Sequence, residues 1–165
     1  MRTIVAAMAN NRVIGNNGKL PWYLPKDWEH FREVTNGGTF LMGRKSYEAD
    51  DRLLSEKWNY ILTSNNNINL CDHCSIVGSL NEFYSLTYNE EEVFILGGGN
   101  VFSEALKDES INKMILTFVD ASPEGDTYFP KVNWSRWKEV KSLSFDRDEF
   151  HKHSFTIKTF VRMIE

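Results

Sequence analysis

Short apolar runs separated by polar segments recur along the chain, and each has the length of a buried strand. They occupy residues 4–9, 39–42, 60–62, 93–96 and 114–119. Two longer patterns, over residues 137–145 and 155–163, predict a closing antiparallel pair, with the polar residues 146–153 as its connection.

Residues 25–35 carry the clearest helical pattern, with Pro25 suited to a first turn and the glycines after Asn36 suited to ending it. Asp27, Phe31 and Val34 fall at i, i+4 and i+7, so a carboxylate shares one helix face with apolar side chains. Burying that carboxylate is costly unless a partner offers hydrogen bonds. An exposed aspartate favoured by the helix dipole is the alternative interpretation.

Three further helices are predicted, one behind the capping box at residues 79–82, one after Gly99 and a short one after Gly43. Strands therefore alternate with helices, and the helices begin after glycine-rich strand ends. This order is typical of an α/β sheet that binds its ligands at the carboxyl ends of the strands.

The composition fits one domain over residues 1–165, since 41% of the residues are hydrophobic and 25% are charged. The net charge of -4 disfavours a nucleic-acid partner, so any anionic ligand must be held by a local cluster of cations. No segment approaches the ~20 apolar residues of a membrane helix. A soluble chain with no membrane partner is therefore expected.

The two cysteines are too few for a disulfide scaffold, and reduced thiols in the cytoplasm are expected. Cys71 and Cys74 resemble half of a zinc site, but the remaining histidines offer no matching second pair. No metal is therefore expected. The apolar run at residues 3–9 is short for a secretion signal, and Asn10 follows it at once.

Two strand ends have the features of phosphate sites. Residues 97–99 are three glycines between a strand and a helix, where backbone N–H groups can approach an anion. At the other strand end, Gly43 is followed by Arg44 and Lys45, which supply local positive charge. The structural alternatives are a plain glycine turn and a solvated basic helix start.

Residues 10–24 form a long connection between the first strand and the helix that carries Asp27. Connections of about 4 to 6 residues are usual, and longer ones are often lids or binding loops. Asn17-Gly18 predicts a tight turn within this segment, so a hairpin-like flap is expected.

Taken together, these segments resemble the dihydrofolate reductase family along nearly the whole chain. The resemblance implies an eight-stranded, mostly parallel mixed sheet with an antiparallel C-terminal hairpin and four flanking helices. It also implies reduction of 7,8-dihydrofolate to 5,6,7,8-tetrahydrofolate by hydride transfer from NADPH. The matching stretches are residues 4–9, 12–15, 20–27, 42–48, 61–64, 95–99, 116–117 and 124–130.

The resemblance assigns Asp27 to the pterin ring through two hydrogen bonds, with Thr117 supporting it from a neighbouring strand. The flap around Leu20 and Trp22 would close over the nicotinamide and control water, because no other titratable side chain is expected near the acceptor nitrogen. The pKa of Asp27 is expected to rise through burial. The implied substrate pocket consists of Val5, Ala6, Trp28, Phe31, Arg52, Leu54, Lys57 and Leu96.

The same resemblance assigns the 2'-phosphate of NADPH to Arg44 with Ser64 and Asn65, and the pyrophosphate to Lys45, Ser46 and the helix after Gly99. A cis peptide between the first two of the three glycines is expected on the same basis. The full implied cofactor set is Ala7, Val13, Ile14, Gly15, Lys19, Gly43, Arg44, Lys45, Ser46, Thr63, Ser64, Asn65, Gly97, Gly98, Gly99, Asn100, Val101, Phe102 and Thr127.

Residues 50–58 depart from the family's pattern. The arginine that usually clamps the substrate's glutamate tail is replaced by Lys57, which cannot form a bidentate fork, and nearby acidic residues add repulsion. Weaker tail recognition is therefore expected. Trp28 is bulkier than the usual aliphatic residue, and Asn100 replaces a common basic one, so one phosphate contact is expected to be missing.

Two alternatives stay open from the sequence. One is a reductase of the same fold that acts on a pyrimidine intermediate of riboflavin synthesis, and the other is a catalytically silent nucleotide-binding module. Asp27 beneath a long flap argues against both. The expected partner is a small-molecule substrate, and a monomer is expected because no apolar helix is in surplus.

Overall fold

An eight-stranded sheet lies at the centre of the computed structural model, which describes residues 1–164. The ten strands of the chain are β1 (Arg2–Ala9), β2 (Val13–Gly15), β3 (Thr39–Gly43), β4 (Trp58–Leu62), β5 (Cys74–Val77), β6 (Val93–Ile95), β7 (Lys113–Val119), β8 (Thr127–Tyr128), β9 (Trp137–Phe145) and β10 (Phe155–Arg162). The sheet order is β5-β4-β3-β6-β1-β7-β10-β9, and β2 pairs with β8 separately.

Along the sheet order, the six strands β5, β4, β3, β6, β1 and β7 run parallel to one another. β10 pairs antiparallel with both β7 and β9. The mixed sheet and its antiparallel C-terminal hairpin are therefore confirmed. Because the carboxyl ends of parallel strands meet at one edge, the residues that follow β3, β4 and β6 lie along the same edge.

Two apolar clusters cover the sheet, and successive residues of a strand contribute to different clusters. Ile4 and Met8 of β1 belong to the first cluster, while Val5 and Ala9 belong to the second. Since side chains alternate across a strand, the clusters lie on opposite faces. Coverage of both faces explains why the central strands are almost continuously apolar.

Four helices flank the sheet, as expected: α1 (Pro25–Thr35), α2 (Arg44–Glu48), α3 (Leu80–Leu86) and α4 (Gly99–Leu106). One half of the predicted capping box is present, because the Ser79 side chain accepts a hydrogen bond from the Glu82 backbone N–H at 3.1 Å. The Glu82 carboxylate accepts from the Gly78 N–H instead of the Ser79 N–H. A short 3₁₀ helix, Trp134–Arg136, precedes β9. None of the helices within residues 1–164 has the length and apolar character needed to cross a membrane.

Three strands were not predicted. β2 and β8 contain only three and two residues, too few to show an alternating pattern, and β5 begins at Cys74, in the segment that resembles half of a zinc site. The expectation of two reduced thiols is also wrong in this structure, because Cys71 and Cys74 form a disulfide. The turn before β5 explains the pairing, since it brings the two Cα atoms to 5.1 Å, within the range that a disulfide spans.

Candidate active site

Asp27 lies in the first turn of α1 and turns its carboxylate toward the sheet. The Thr117 hydroxyl, on β7, donates a hydrogen bond to Asp27 Oδ1 at 2.6 Å. Burial raises the pKa of Asp27 from its usual 3.8 to about 6, against the smaller lowering effect of the Thr117 hydrogen bond. The carboxylate is therefore half-buried and partnered, in the arrangement expected from the helix pattern and the resemblance.

The segment between β1 and α1 forms a flap held at both ends. Asn17 and Gly18 have φ angles of 52° and 76°, and Asn16 and Lys19 exchange backbone hydrogen bonds across them, which confirms the predicted tight turn. Nearer α1, the Trp22 side chain is only 9% exposed and packs into the second apolar cluster. The flap is thus anchored next to the helix that carries Asp27.

The second apolar cluster gathers much of the predicted substrate pocket around α1. Trp28 adds an edge contact, with its ring centroid 6.1 Å from that of Phe31. Ala6 and Ile14 pack instead against the first cluster, on the other face of the sheet. The predicted site residues in the second cluster are Val5, Ala7, Val13, Leu20, Trp22, Phe31, Leu54 and Leu96.

A cavity of about 250 Å³ lies between the flap, the exposed side of α1 and the segment after α2. Asp27 is not among its lining residues, but Trp28, the next residue in the chain, is. The cavity therefore does not enclose the carboxylate, which is bonded to Thr117 of the sheet. Its lining residues are Trp22, Tyr23, Pro25, Trp28, Arg32, Asp51 and Leu53.

The two predicted phosphate sites meet at the carboxyl edge of the sheet. The Gly43 N–H donates to the Gly97 carbonyl at 2.8 Å, and the Gly97-Gly98 peptide is cis. Gly97 has a φ of +122°, which only glycine adopts readily. A Cβ at Gly99 would stand 2.9 Å from the Tyr128 carbonyl, so a side chain there would force a shift. Gly97 and Gly99 therefore let the backbone at the start of α4 pack closely against its neighbours.

The predicted cofactor side chains lie along this edge. Arg44 begins α2 and pairs with Glu48, its Nε lying 2.8 Å from the carboxylate. Thr63 follows β4, the neighbour of β3, and accepts a hydrogen bond from the Asn65 N–H at 3.1 Å. In the first turns of α4, the predicted residues Val101 and Phe102 are buried, whereas Asn100 is exposed.

Three more predicted cofactor residues, Gly15, Lys45 and Thr127, lie at the flap. The Asn17 N–H holds the pKa of Asp126 below its usual range, with a further contribution from the Lys45 charge, and Thr127 donates a hydrogen bond to the same carboxylate at 2.9 Å. Gly15 contacts Thr127 at the small β2–β8 pair, where a Cβ on the glycine would meet the threonine Cβ at 3.6 Å. Lys45 and Thr127 therefore lie beside the flap.

The sequence of this chain matches the family model described as dihydrofolate reductase over residues 1–162. It is 35% identical to a dihydrofolate reductase from Staphylococcus haemolyticus over 98% of this chain and 95% of that one. It is 31% identical to one from Bacillus subtilis, over 94% of this chain and 90% of the relative. The chain belongs to the dihydrofolate reductase family.

The fold agrees with this assignment. A dihydrofolate reductase from Enterococcus faecalis, solved with NADP(H) and RAB-propyl, superimposes with a TM-score of 0.89 and 30% sequence identity. The match covers 99% of this chain and 97% of the other. The similarity therefore extends over both glycine strand ends, the flap and the helix of Asp27.

The cations expected at the substrate tail of this dihydrofolate reductase family member have other partners. The Lys57 ammonium lies 3.1 Å from a Glu90 carboxylate oxygen, and the Arg52 guanidinium lies 4.7 Å from the centre of the Tyr47 ring. Neither residue lines the cavity. Arg32 does, although the sequence did not single it out.

Helical spacing could have identified Arg32. It lies four residues after Trp28, so both share one side of α1, and a cation there faces the same space as the aromatic ring. Four other lining residues were missed. Pro25 begins α1, whereas Tyr23, Asp51 and Leu53 lie in irregular segments. No periodic signal marks such positions.

Proposed function

We infer that the protein reduces 7,8-dihydrofolate to 5,6,7,8-tetrahydrofolate with NADPH, and so supplies one-carbon and thymidylate metabolism. Membership of the family supports this reaction. The observation that carries it is the half-buried Asp27 carboxylate, held by Thr117 below an anchored flap. A group so costly to bury makes chemical sense where a ligand supplies hydrogen bonds to it.

Asp27 is proposed to orient the pterin ring. Its ionised carboxylate can accept two hydrogen bonds from ring donors, and charge-assisted bonds contribute about 1.5 to 3 kcal/mol each. A ring fixed in this way presents one carbon to the reductant, which is the main requirement of hydride transfer. Leu20 and Trp22 are proposed to limit water at the reacting face, and the proton is proposed to arrive through water.

The glycine strand end before α4 fits a dinucleotide. The α4 N-cap residue, Gly98, supplies no side-chain partner to the first-turn N–H groups, so an anion can bind there. Bound there, NADPH supplies the hydride. Ser46, whose hydroxyl lies near Gly97, and Lys45 are proposed to hold the pyrophosphate.

Arg44 with Ser64 and Asn65 is proposed to hold the 2'-phosphate. The planar guanidinium suits a phosphate better than a ribose hydroxyl, which favours NADPH over NADH. Exposed ion pairs of the Arg44–Glu48 kind are worth little, so a phosphate can compete for the arginine.

The direct test is the loss of nicotinamide absorbance when dihydrofolate is added to the purified protein. Rapid consumption with NADPH and slower consumption with NADH are expected. Binding of NADPH without consumption would instead support a silent nucleotide-binding module. Turnover restricted to a riboflavin-pathway pyrimidine would support the alternative reductase.

Replacing Arg44 is expected to weaken NADPH selectively. Arg44→Leu should raise the KM for NADPH by about 10- to 100-fold, because a charge-assisted contact worth about 1.5 to 3 kcal/mol is lost. The KM for NADH should change less than about twofold, since NADH has no 2'-phosphate. Steady-state kinetics with both reductants measure this difference.

Glu48→Gln is the matched control, because it removes the present partner of Arg44 and leaves the guanidinium in place. Its KM for NADPH should stay the same or fall. An equal rise of both KM values in Arg44→Leu would count against the phosphate assignment.

Tail recognition is proposed to depend on Arg32 more than on Lys57, which is already paired with Glu90. Arg32→Gln should raise the KM for dihydrofolate by about 3- to 10-fold, the range expected for an exposed charge pair of about 1 kcal/mol. A dihydropterin without the glutamate tail should be unaffected. Lys57→Gln is the control, and a larger effect from it than from Arg32→Gln would reverse the assignment.

We further propose that residues 1–165 work as a single domain and a monomer in the cytoplasm, without a nucleic-acid partner. The net charge of -4 supports the last point, because polyanions are repelled. Sedimentation of the purified protein at micromolar concentration tests the oligomeric state. A concentration-dependent dimer would contradict it.

A further inference from the structure

Lys26, the residue immediately before Asp27, contacts the C-terminal hairpin through both its backbone and its side chain. The Lys26 backbone N–H donates to His151 Nε2 at 3.2 Å, across 125 residues of sequence. The Lys26 ammonium lies 5.6 Å from the centre of the Phe145 ring, at the end of β9. Nothing in the proposed reaction so far uses this contact.

The His151 ring is fixed in one orientation. Its side chain is only 3% exposed, and Nδ1 lies 2.8 Å from Asp148 Oδ1. Because Nε2 accepts a hydrogen bond from Lys26, the ring proton belongs on Nδ1 and is donated to Asp148. The ring also packs against Phe155 at a centroid distance of 5.6 Å. Asp148 and Phe155 therefore keep Nε2 directed at α1.

The first turn of α1 requires an outside acceptor. Leu24, at the N-cap, has no side chain that can accept a hydrogen bond, and Pro25 has no N–H to satisfy. The N–H groups of Asp27 and Trp28 both donate to the Leu24 carbonyl, at 3.0 and 3.2 Å. Lys26 N–H is the remaining donor of the turn, and His151 satisfies it.

We propose that His151 is a positioning residue for dihydrofolate reduction, acting as a remote N-cap that fixes the backbone from which Asp27 projects. Asp27 is then held at two points, its carboxylate by Thr117 and the preceding peptide by His151. This inference rests on the proposed function. Loss of the cap would loosen only the first turn of α1. Substrate orientation would then change, whereas the proposed NADPH site at the glycine strand ends would not.

Two substitutions of His151 distinguish the effect of its hydrogen-bond acceptor from the effect of its ring volume. His151→Phe fills the same space without an acceptor, whereas His151→Gln places an amide oxygen near the position of Nε2. His151→Phe is expected to lower kcat/KM for dihydrofolate by about 3- to 10-fold, the effect of one lost capping hydrogen bond. The KM for NADPH should stay within about twofold, and His151→Gln should restore most of the loss.

Amide exchange provides a readout that does not depend on turnover. The Lys26 N–H should exchange at least about tenfold faster in His151→Phe than in the parent, and close to the parental rate in His151→Gln. If the parent fails to reduce dihydrofolate, the proposed function is wrong, while the exchange rates still decide whether His151 caps α1. If His151→Phe does not fold, His151→Ala, which also lacks an acceptor, takes its place in both measurements.

Ser79→Ala is the matched control for stability, since it removes the N-cap hydrogen bond of α3, a helix without candidate site residues. It should lower the melting temperature and leave kcat/KM for dihydrofolate unchanged. His153→Phe controls for the exchange of an imidazole for a phenyl ring in the same connection. Equal kinetics in His151→Phe and Ser79→Ala, or no rescue by His151→Gln, would overturn the positioning role.

Discussion

Asp27→Asn is expected to reduce dihydrofolate about 10²- to 10⁴-fold more slowly than the parent at pH 7, because two charge-assisted hydrogen bonds of about 1.5 to 3 kcal/mol each are lost. Asparagine has nearly the same shape and can still accept the Thr117 hydrogen bond. The substitution therefore removes the charge and one acceptor without emptying the space. Loss of orientation should lower kcat and raise the KM for dihydrofolate together.

Single-turnover and steady-state assays with NADPH measure this effect. Asp72→Asn is the matched control, because it removes an exposed carboxylate from a segment without candidate site residues. It should stay within about threefold of the parent, as expected for an exposed charge. Comparable turnover by parent and Asp27→Asn would show that this carboxylate does not orient the substrate.

The position of Asp27 could be predicted from local sequence. Pro25 and the glycines after Asn36 mark both ends of α1, and its observed bounds match the predicted ones. Within those bounds, helical spacing alone places Asp27 beside Phe31 and Val34. The two glycine strand ends were also predictable from local sequence, because the need for glycine is set by the backbone conformation at that position.

The partners of long charged side chains could not be predicted in this way. Lys57 contacts Glu90 and Arg52 lies over Tyr47, so both cations have partners that depend on the folded arrangement of several elements. The contact of His151 with Lys26 spans 125 residues and leaves no periodic signal. The family resemblance did not help here, because residues 50–58 depart from its pattern.

The raised pKa of Asp27 also predicts how stability depends on pH. The pKa is about 6 in the folded protein against the usual 3.8, because burial disfavours the charged form. Between these two values the folded state binds more protons than the unfolded state. Stability therefore falls as the pH rises through this window, which is the opposite of a salt-bridged aspartate. The loss reaches about 3 kcal/mol once the pH exceeds 6.

Asp27→Asn should remove this loss, since asparagine does not titrate. At pH 4 the two proteins should have similar free energies of unfolding, whereas at pH 7.5 the variant should be more stable by up to about 3 kcal/mol. Urea unfolding followed by fluorescence between pH 4 and 8 measures the difference. A difference that does not change with pH would mean that the Asp27 charge is not buried. The growing difference, combined with lost turnover, would show that the site keeps a destabilising charge because the substrate requires it.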